Sequence, residues 1–133
     1  PADVAIGYLS PDGLRTNVFH LPVIGSGDGG LFSTAADIYR FWSALFDGRI
    51  VSHDTVAVMT TPRSHDPDKT ERYGLGFWLA ENGPAVTLQG YDPGVSFRTV
   101  HDPTTGVIHT VLSNTSSGAW PMTNALDHAL GFA

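Results

Sequence analysis

Cysteine is absent from the 133 residues, which removes disulfides, thiolate metal sites and a cysteine nucleophile. Lysine occurs once, at Lys69. Lys and Arg together number 7 against 13 Asp and Glu, for a formal net charge of −6. A nucleic-acid partner needs clustered cations to displace the counterions of the phosphate backbone, so this balance argues against one. No apolar run is long enough to span a bilayer, and no basic-then-apolar opening reads as a leader. The first residues, Pro1-Ala2-Asp3-Val4, lack a Met. Excision from a longer protein is expected alongside simple Met removal as the reason. The missing cysteines leave the compartment open between a bacterial cytoplasm and export. Internal repeats and low-complexity tracts are also absent.

What remains is ordinary for a folded chain. Hydrophobic residues make up 41% and charged residues 15%, far from a disordered composition. The length suits a single domain, residues 1–133, with one core. Residues 1–32 are rich in Gly, Pro and Asp and read as an irregular segment lying over a surface, with a turn at Ser10-Pro11-Asp12-Gly13.

A helix is predicted from Thr34, a capping residue with Asp37 three positions on. Ile38, Phe41, Trp42, Leu45 and Phe46 then recur at three- and four-residue spacing as one apolar stripe. Gly48 stands where a left-handed cap would end it. A shorter helix should follow Ser52, carry Val56 and Met59, and stop before Pro62.

Residues 61–72 are polar and read as an exposed loop. The pattern then turns extended. Tyr73–Ala80 and Ala85–Gln89 read as strands, broken by Gly90-Tyr91-Asp92-Pro93-Gly94. Val95–His101 and Val107–Leu112 follow, with Val95, Phe97 and Thr99 sharing a face. This is the pattern of an antiparallel meander of three or four strands. Pro121 should open a last helix at its first position, with Met122, Ala125, Leu126, Ala129 and Leu130 as its apolar stripe. The fold class is therefore α+β, an antiparallel sheet flanked by helices.

Three features invite chemistry and carry little. His53-Asp54, His65-Asp66 and His101-Asp102 are His-Asp pairs, but none has the helical histidine spacing of a metal site, and Asp in such places caps or turns the backbone. No metal and no cofactor is expected. The loop Gly25-Ser26-Gly27-Asp28-Gly29-Gly30 lacks the Lys and Ser/Thr of a phosphate loop and does not complete a nucleophile elbow. Trp42, Trp78 and Trp120 read as packing residues. Gly90, joining two strands, suits a turn and also permits close approach of a ligand to the backbone.

Five stretches in order resemble one family. Gly29-Gly30-Leu31-Phe32-Ser33-Thr34-Ala35-Ala36-Asp37-Ile38 resembles the "GGL-x-STA-x-DL" helix start of serine β-lactamase-like hydrolases, the superfamily that includes D-alanyl-D-alanine carboxypeptidases. Phe41–Ser52 resembles the rest of that helix and its exit. Met59-Thr60-Thr61-Pro62 with Tyr73-Gly74-Leu75-Gly76-Phe77-Trp78, then Gly90–Phe97, then Thr110-Val111-Leu112-Ser113-Asn114 match in order and spacing. The resemblance covers nearly the whole chain.

It implies the C-terminal part of a β-lactamase/transpeptidase-like fold. In that family a Ser in an S-x-x-K motif attacks a carbonyl, a Lys or Tyr takes its proton, and backbone N–H groups hold the oxyanion. This sequence contains no S-x-x-K, so no catalytic residue is expected in the segment and it should be inert alone. The family's third motif, K-T-G or H-x-G, falls at Leu88-Gln89-Gly90. Leu88 occupies the usual Lys or His position, where it supplies neither charge nor hydrogen bond. Gly90 is kept, and the resemblance implies the Tyr91 N–H as an oxyanion donor and Gln89 as a polar substrate contact. The implied partners are an N-terminal part of the same protein and a small amide or ester substrate, whereas the exposed packing faces of the fragment predict a homodimer or swapped assembly. A non-catalytic binding domain on the same fold is the alternative.

Overall fold

The computed structural model describes residues 3–10, 12–22, 24–27, 29–65 and 72–132. Residues 3–32 form no helix or multi-residue strand among those described, as the composition predicts. They lie against the end of the sheet through an isolated bridge between Tyr8 and Thr115.

Helix α1 spans Ala35–Phe46. The Thr34 hydroxyl accepts from the Asp37 N–H at 3.1 Å and donates to its carboxylate at 2.8 Å. This reciprocal cap satisfies a free N–H of the first turn. At the other end Gly48, at φ 72°, lets its own N–H reach Leu45 and the Arg49 N–H reach Ala44. That double closure needs the left-handed conformation Gly adopts freely. Helix α2 spans His53–Met59 behind the Ser52 cap.

Six antiparallel strands run in sequence order: β1 Ser64–His65, β2 Arg72–Tyr73, β3 Trp78–Leu79, β4 Val86–Asp92, β5 Val95–His101 and β6 Ile108–Ser113. The meander is therefore longer than the three or four strands expected. Two differences explain it. The expected strand Tyr73–Ala80 is folded back on itself, because the Gly74 N–H bonds the Phe77 carbonyl and Gly76 takes φ 86°. The expected loop 61–72 holds strand at Ser64–His65 and again at Arg72, since the Arg63 N–H bonds the Tyr73 carbonyl and Ser64 pairs with Tyr73. Asp66 and the rest of that loop through Glu71 lie outside the described residues. Similarly, β4 does not break at Gly90 but continues to Asp92. Only Pro93-Gly94 turns the chain.

The sheet has two covered faces. Thr99 and Leu88 oppose one another on one of them, and α1 packs there. Trp42 is 0% exposed and leads a core with Leu45, Val56, Phe77, Leu79 and Val86. Its indole Nε1 donates to the Thr99 hydroxyl at 2.9 Å, which satisfies the one polar atom of a fully buried ring.

Helix α3, Ala119–Leu130, lies on the other face over β5 and β6. It starts two residues before Pro121, which takes its third position rather than its first. The unsatisfied N–H groups of a first helical turn tolerate Pro there. The Ala119 N–H is met instead by the Ser96 hydroxyl at 3.1 Å. The buried side of α3 is Ala119, Thr123 and Asp127. Of the expected stripe, Leu126 is half-buried, while Met122, Ala125, Ala129 and Leu130 face outward. Asp127 decides the rotation. Its carboxylate meets Arg98 at 2.9 Å and His109 Nε2 at 2.8 Å, and a buried carboxylate must be paired.

Candidate active site

β4 extends past its neighbour. Leu79 and Trp78 pair with Val86 and Thr87, and no strand pairs with the rest of β4 on that side among the described residues. The Ala85 carbonyl accepts from the Ala80 N–H, so residue 85 points its backbone toward β3. Strand geometry repeats every two residues. Thr87, Gln89 and Tyr91 therefore aim their N–H and C=O groups the same way, and for Gln89 and Tyr91 that way is an open edge.

Side chains alternate across the sheet on the same rule. Leu88 and Gly90 share the α1 face. Leu88 is half-buried and packs against the Trp42 core, so its side chain is a core group. Gly90 opposes Phe97, and a Cβ there would come within 3.2 Å of the Phe97 ring. Gln89 and Tyr91 point to the α3 face. Tyr91 stands edge-on to Trp120 with ring centroids 6.3 Å apart and is 76% exposed. Gln89 lines a cavity of about 360 Å³ beside Trp78, Thr87, Arg98 and Phe132. The four residues singled out in the sequence thus form one strand segment. The backbone groups of Gln89 and Tyr91 face the open edge while those of Leu88 and Gly90 pair with β5, and the four side chains divide between the two faces of the sheet.

The end of this segment is held by residues the sequence reading passed over. Pro93 followed by Gly94 at φ 74° has the residue pattern of a type II turn, which suits the twist of a hairpin less well than the primed turns. It is clamped from outside. The Asn17 amide donates to the Pro93 carbonyl at 3.2 Å and accepts from the Gly7 N–H at 3.0 Å. The Ser116 hydroxyl accepts from the Gly94 N–H at 2.9 Å and donates to the Asp92 carbonyl at 3.0 Å. Asn17 is buried within the irregular opening segment. Asn17 also opens a turn, its carbonyl accepting from the His20 N–H, and a turn residue does not reveal what its side chain reaches across a fold.

Two of the His-Asp pairs have structural work, and the third, His65-Asp66, reaches outside the described residues. The Asp102 carboxylate accepts from the Thr104 N–H and the Thr105 hydroxyl, each at 2.8 Å, which closes the turn after β5. These bonds hold its pKa below the ordinary carboxylate value, against the opposing effect of burial. His101 lies between Trp42 and Phe46, with centroids 5.6 and 4.4 Å away. Burial lowers its pKa, and the nearby Asp102 opposes that only in part. His53 opens α2 with Asp54 in its first turn. Among the described residues no three His, Cys, Asp or Glu come together as a metal site. Likewise, no helix there is long and apolar enough to cross a membrane.

Comparison with known proteins agrees with this architecture. The family model described as Beta-lactamase matches residues 1–132. The Bacillus subtilis (strain 168) protein "Putative penicillin-binding protein PbpX" is 28% identical over 117 residues, covering 86% of this chain and 28% of its own length. A crystal structure of a penicillin binding protein from Bacillus halodurans superposes with a TM-score of 0.87 at 35% identity. It covers 97% of this chain and 41% of that one. The chain thus spans well under half the length of either relative.

Proposed function

Because the chain belongs to the Beta-lactamase family, we propose that it is the C-terminal region of an acyl-transfer serine hydrolase acting on a β-lactam, peptide or ester. The observation that carries this reading is the open edge of β4, where Gly90 leaves the backbone bare and the Tyr91 N–H is free of strand pairing. An N–H fixed in a sheet and aimed at an unfilled space is preorganised for an oxyanion.

In the proposed reaction a serine Oγ supplied by an N-terminal part of the same protein bonds to the substrate carbonyl carbon. The carbonyl π pair moves onto oxygen, where the Tyr91 N–H stabilises it. Collapse expels the amine or alkoxide, which leaves with the proton the serine gave up to its base. Water then repeats the sequence on the acyl-enzyme. This chain supplies the edge and no nucleophile, since its one Lys follows Asp66-Pro67-Asp68 rather than Ser-x-x. Alone it is inert.

The test is intact-mass spectrometry of the full-length protein after incubation with penicillin and with an activated ester, with the 133-residue chain as control. An acyl adduct on the full-length protein and none on the chain is expected. No adduct on a folded full-length protein would favour the second reading, a non-catalytic binding domain. The feature behind that reading is Leu88, which packs into the core where the related motif carries a Lys or His.

A further inference from the structure

The α1 face of β4 carries Leu88, Gly90 and Asp92 in register with Thr99, Phe97 and Val95. Leu88 is spent on the core and Gly90 presents no side chain. Asp92 is exposed, on that face and at the last position of the strand whose edge is open. Its backbone is fixed on both sides. The Asp92 carbonyl accepts from the Ser116 hydroxyl at 3.0 Å, and the next carbonyl, of Pro93, accepts from Asn17 at 3.2 Å. A free side chain on a fixed backbone is placed to select a ligand at low entropic cost.

No cation balances it among the described residues. Arg98 opposes Gln89 and belongs to the other face, where it pairs with Asp127. Arg72 is held by the Ala80 carbonyl. Arg40 and Arg49 pair with Asp37 and Asp47 at the two ends of α1. Arg15 acts on Asp12, and Arg63 sits beside β2 at the far side of the sheet. Lys69 lies outside the described residues. The edge that would hold a substrate carbonyl is therefore anionic, in a chain whose net charge is already −6.

We propose that Asp92 is a specificity determinant of the hydrolase site, favouring substrates with an ammonium group beside the scissile carbonyl over those with a carboxylate there. The proposal rests on the hydrolase reading above. Asp92 directly follows Tyr91, and consecutive Cα atoms stand about 3.8 Å apart. Asp92 thus stands one residue beyond the N–H that would hold the carbonyl. A charge at that range attracts an ammonium and repels a carboxylate, with a solvent-screened strength worth about fivefold in rate.

The test uses the full-length protein and three anilides that differ in one group. Glycine p-nitroanilide carries an ammonium, N-acetylglycine p-nitroanilide is neutral, and succinic mono-p-nitroanilide carries a carboxylate. Wild-type kcat/KM should fall in that order, by about fivefold at each step. In Asp92→Asn the ratio between the first two should shrink toward one, and in Asp92→Lys the succinyl substrate should overtake the glycyl. A wild-type order without ammonium preference, or a ratio unmoved by Asp92→Asn, overturns the proposal and leaves the hydrolase reading standing. Circular dichroism of each variant separates misfolding from lost selectivity. Failure of every activated ester to acylate the wild type removes the hydrolase reading, and the proposal goes with it.

Discussion

A hydrogen on Gly7 is all the space there allows. A Cβ would run into the Gly94 carbonyl oxygen and the Asn17 amide, and neither can retreat without opening the clamp on the β4–β5 turn. Gly7→Ala should therefore cost about 2–3 kcal/mol in urea unfolding, in the range of forced overpacking. Gly90→Ala meets only the Phe97 ring, at 3.2 Å, and should cost less than about 1 kcal/mol because a ring can tilt. His101 gives a pH prediction. Its folded pKa is lowered by burial between aromatic rings, so the unfolded chain binds the proton more readily. Stability is then full above the ordinary histidine value of about 6.5 and declines as pH falls from there toward the folded pKa. The urea midpoint of the wild type should drop between pH 7.5 and 5 more steeply than that of His101→Phe, which lacks the titrating group.

Among the elements, α1 shows how far local pattern reaches. Its cap at Thr34, its stripe through Trp42 and Leu45 and its glycine exit at Gly48 were all legible, because each depends on residues within one or two turns. The reading of α3 failed in rotation for the opposite reason. Met122, Ala125, Ala129 and Leu130 have the spacing of a core stripe, yet the helix turns Asp127 inward to Arg98 and His109, on β5 and β6. Sequence spacing cannot foresee a carboxylate outbidding four apolar side chains. The pairs of two-residue strands around Gly76 were hidden similarly, since a fold-back of Tyr73–Trp78 and a single strand share the same apolar letters. Asp127→Ala should destabilise the domain by about 3–5 kcal/mol, because Arg98 would be left in a largely buried place without its counter-charge. Thermal unfolding followed by circular dichroism checks this. A loss below about 1 kcal/mol would mean that α3 is held by packing alone.

For the whole molecule, the proposed site can be singled out as a stretch of sequence but not as a shape. Leu88–Tyr91 is the stretch that the order and spacing of the family resemblance single out. That two of its residues look toward α1 and two toward α3 follows from the register with β5, a contact between distant stretches. The opening segment leaves Leu14, Phe19, Ile24 and Leu31 in water, with Phe19 98% exposed. Apolar surface of that kind favours association. Light scattering of the 133-residue chain should give a mass that rises with concentration, and Phe19→Ser with Ile24→Ser should hold it near the monomer. A wild-type mass independent of concentration would show that this surface does not self-associate. The Asn17–Pro93 bond has a different consequence, one of timing. It joins residues 76 apart, and closing such a loop costs on the order of 4 kcal/mol in chain entropy. The hairpin it clamps is local and can form in microseconds. The meander should thus exist before its open edge is set, so a chain caught early in folding would have the sheet but not yet the strap that fixes where Tyr91 and Asp92 stand.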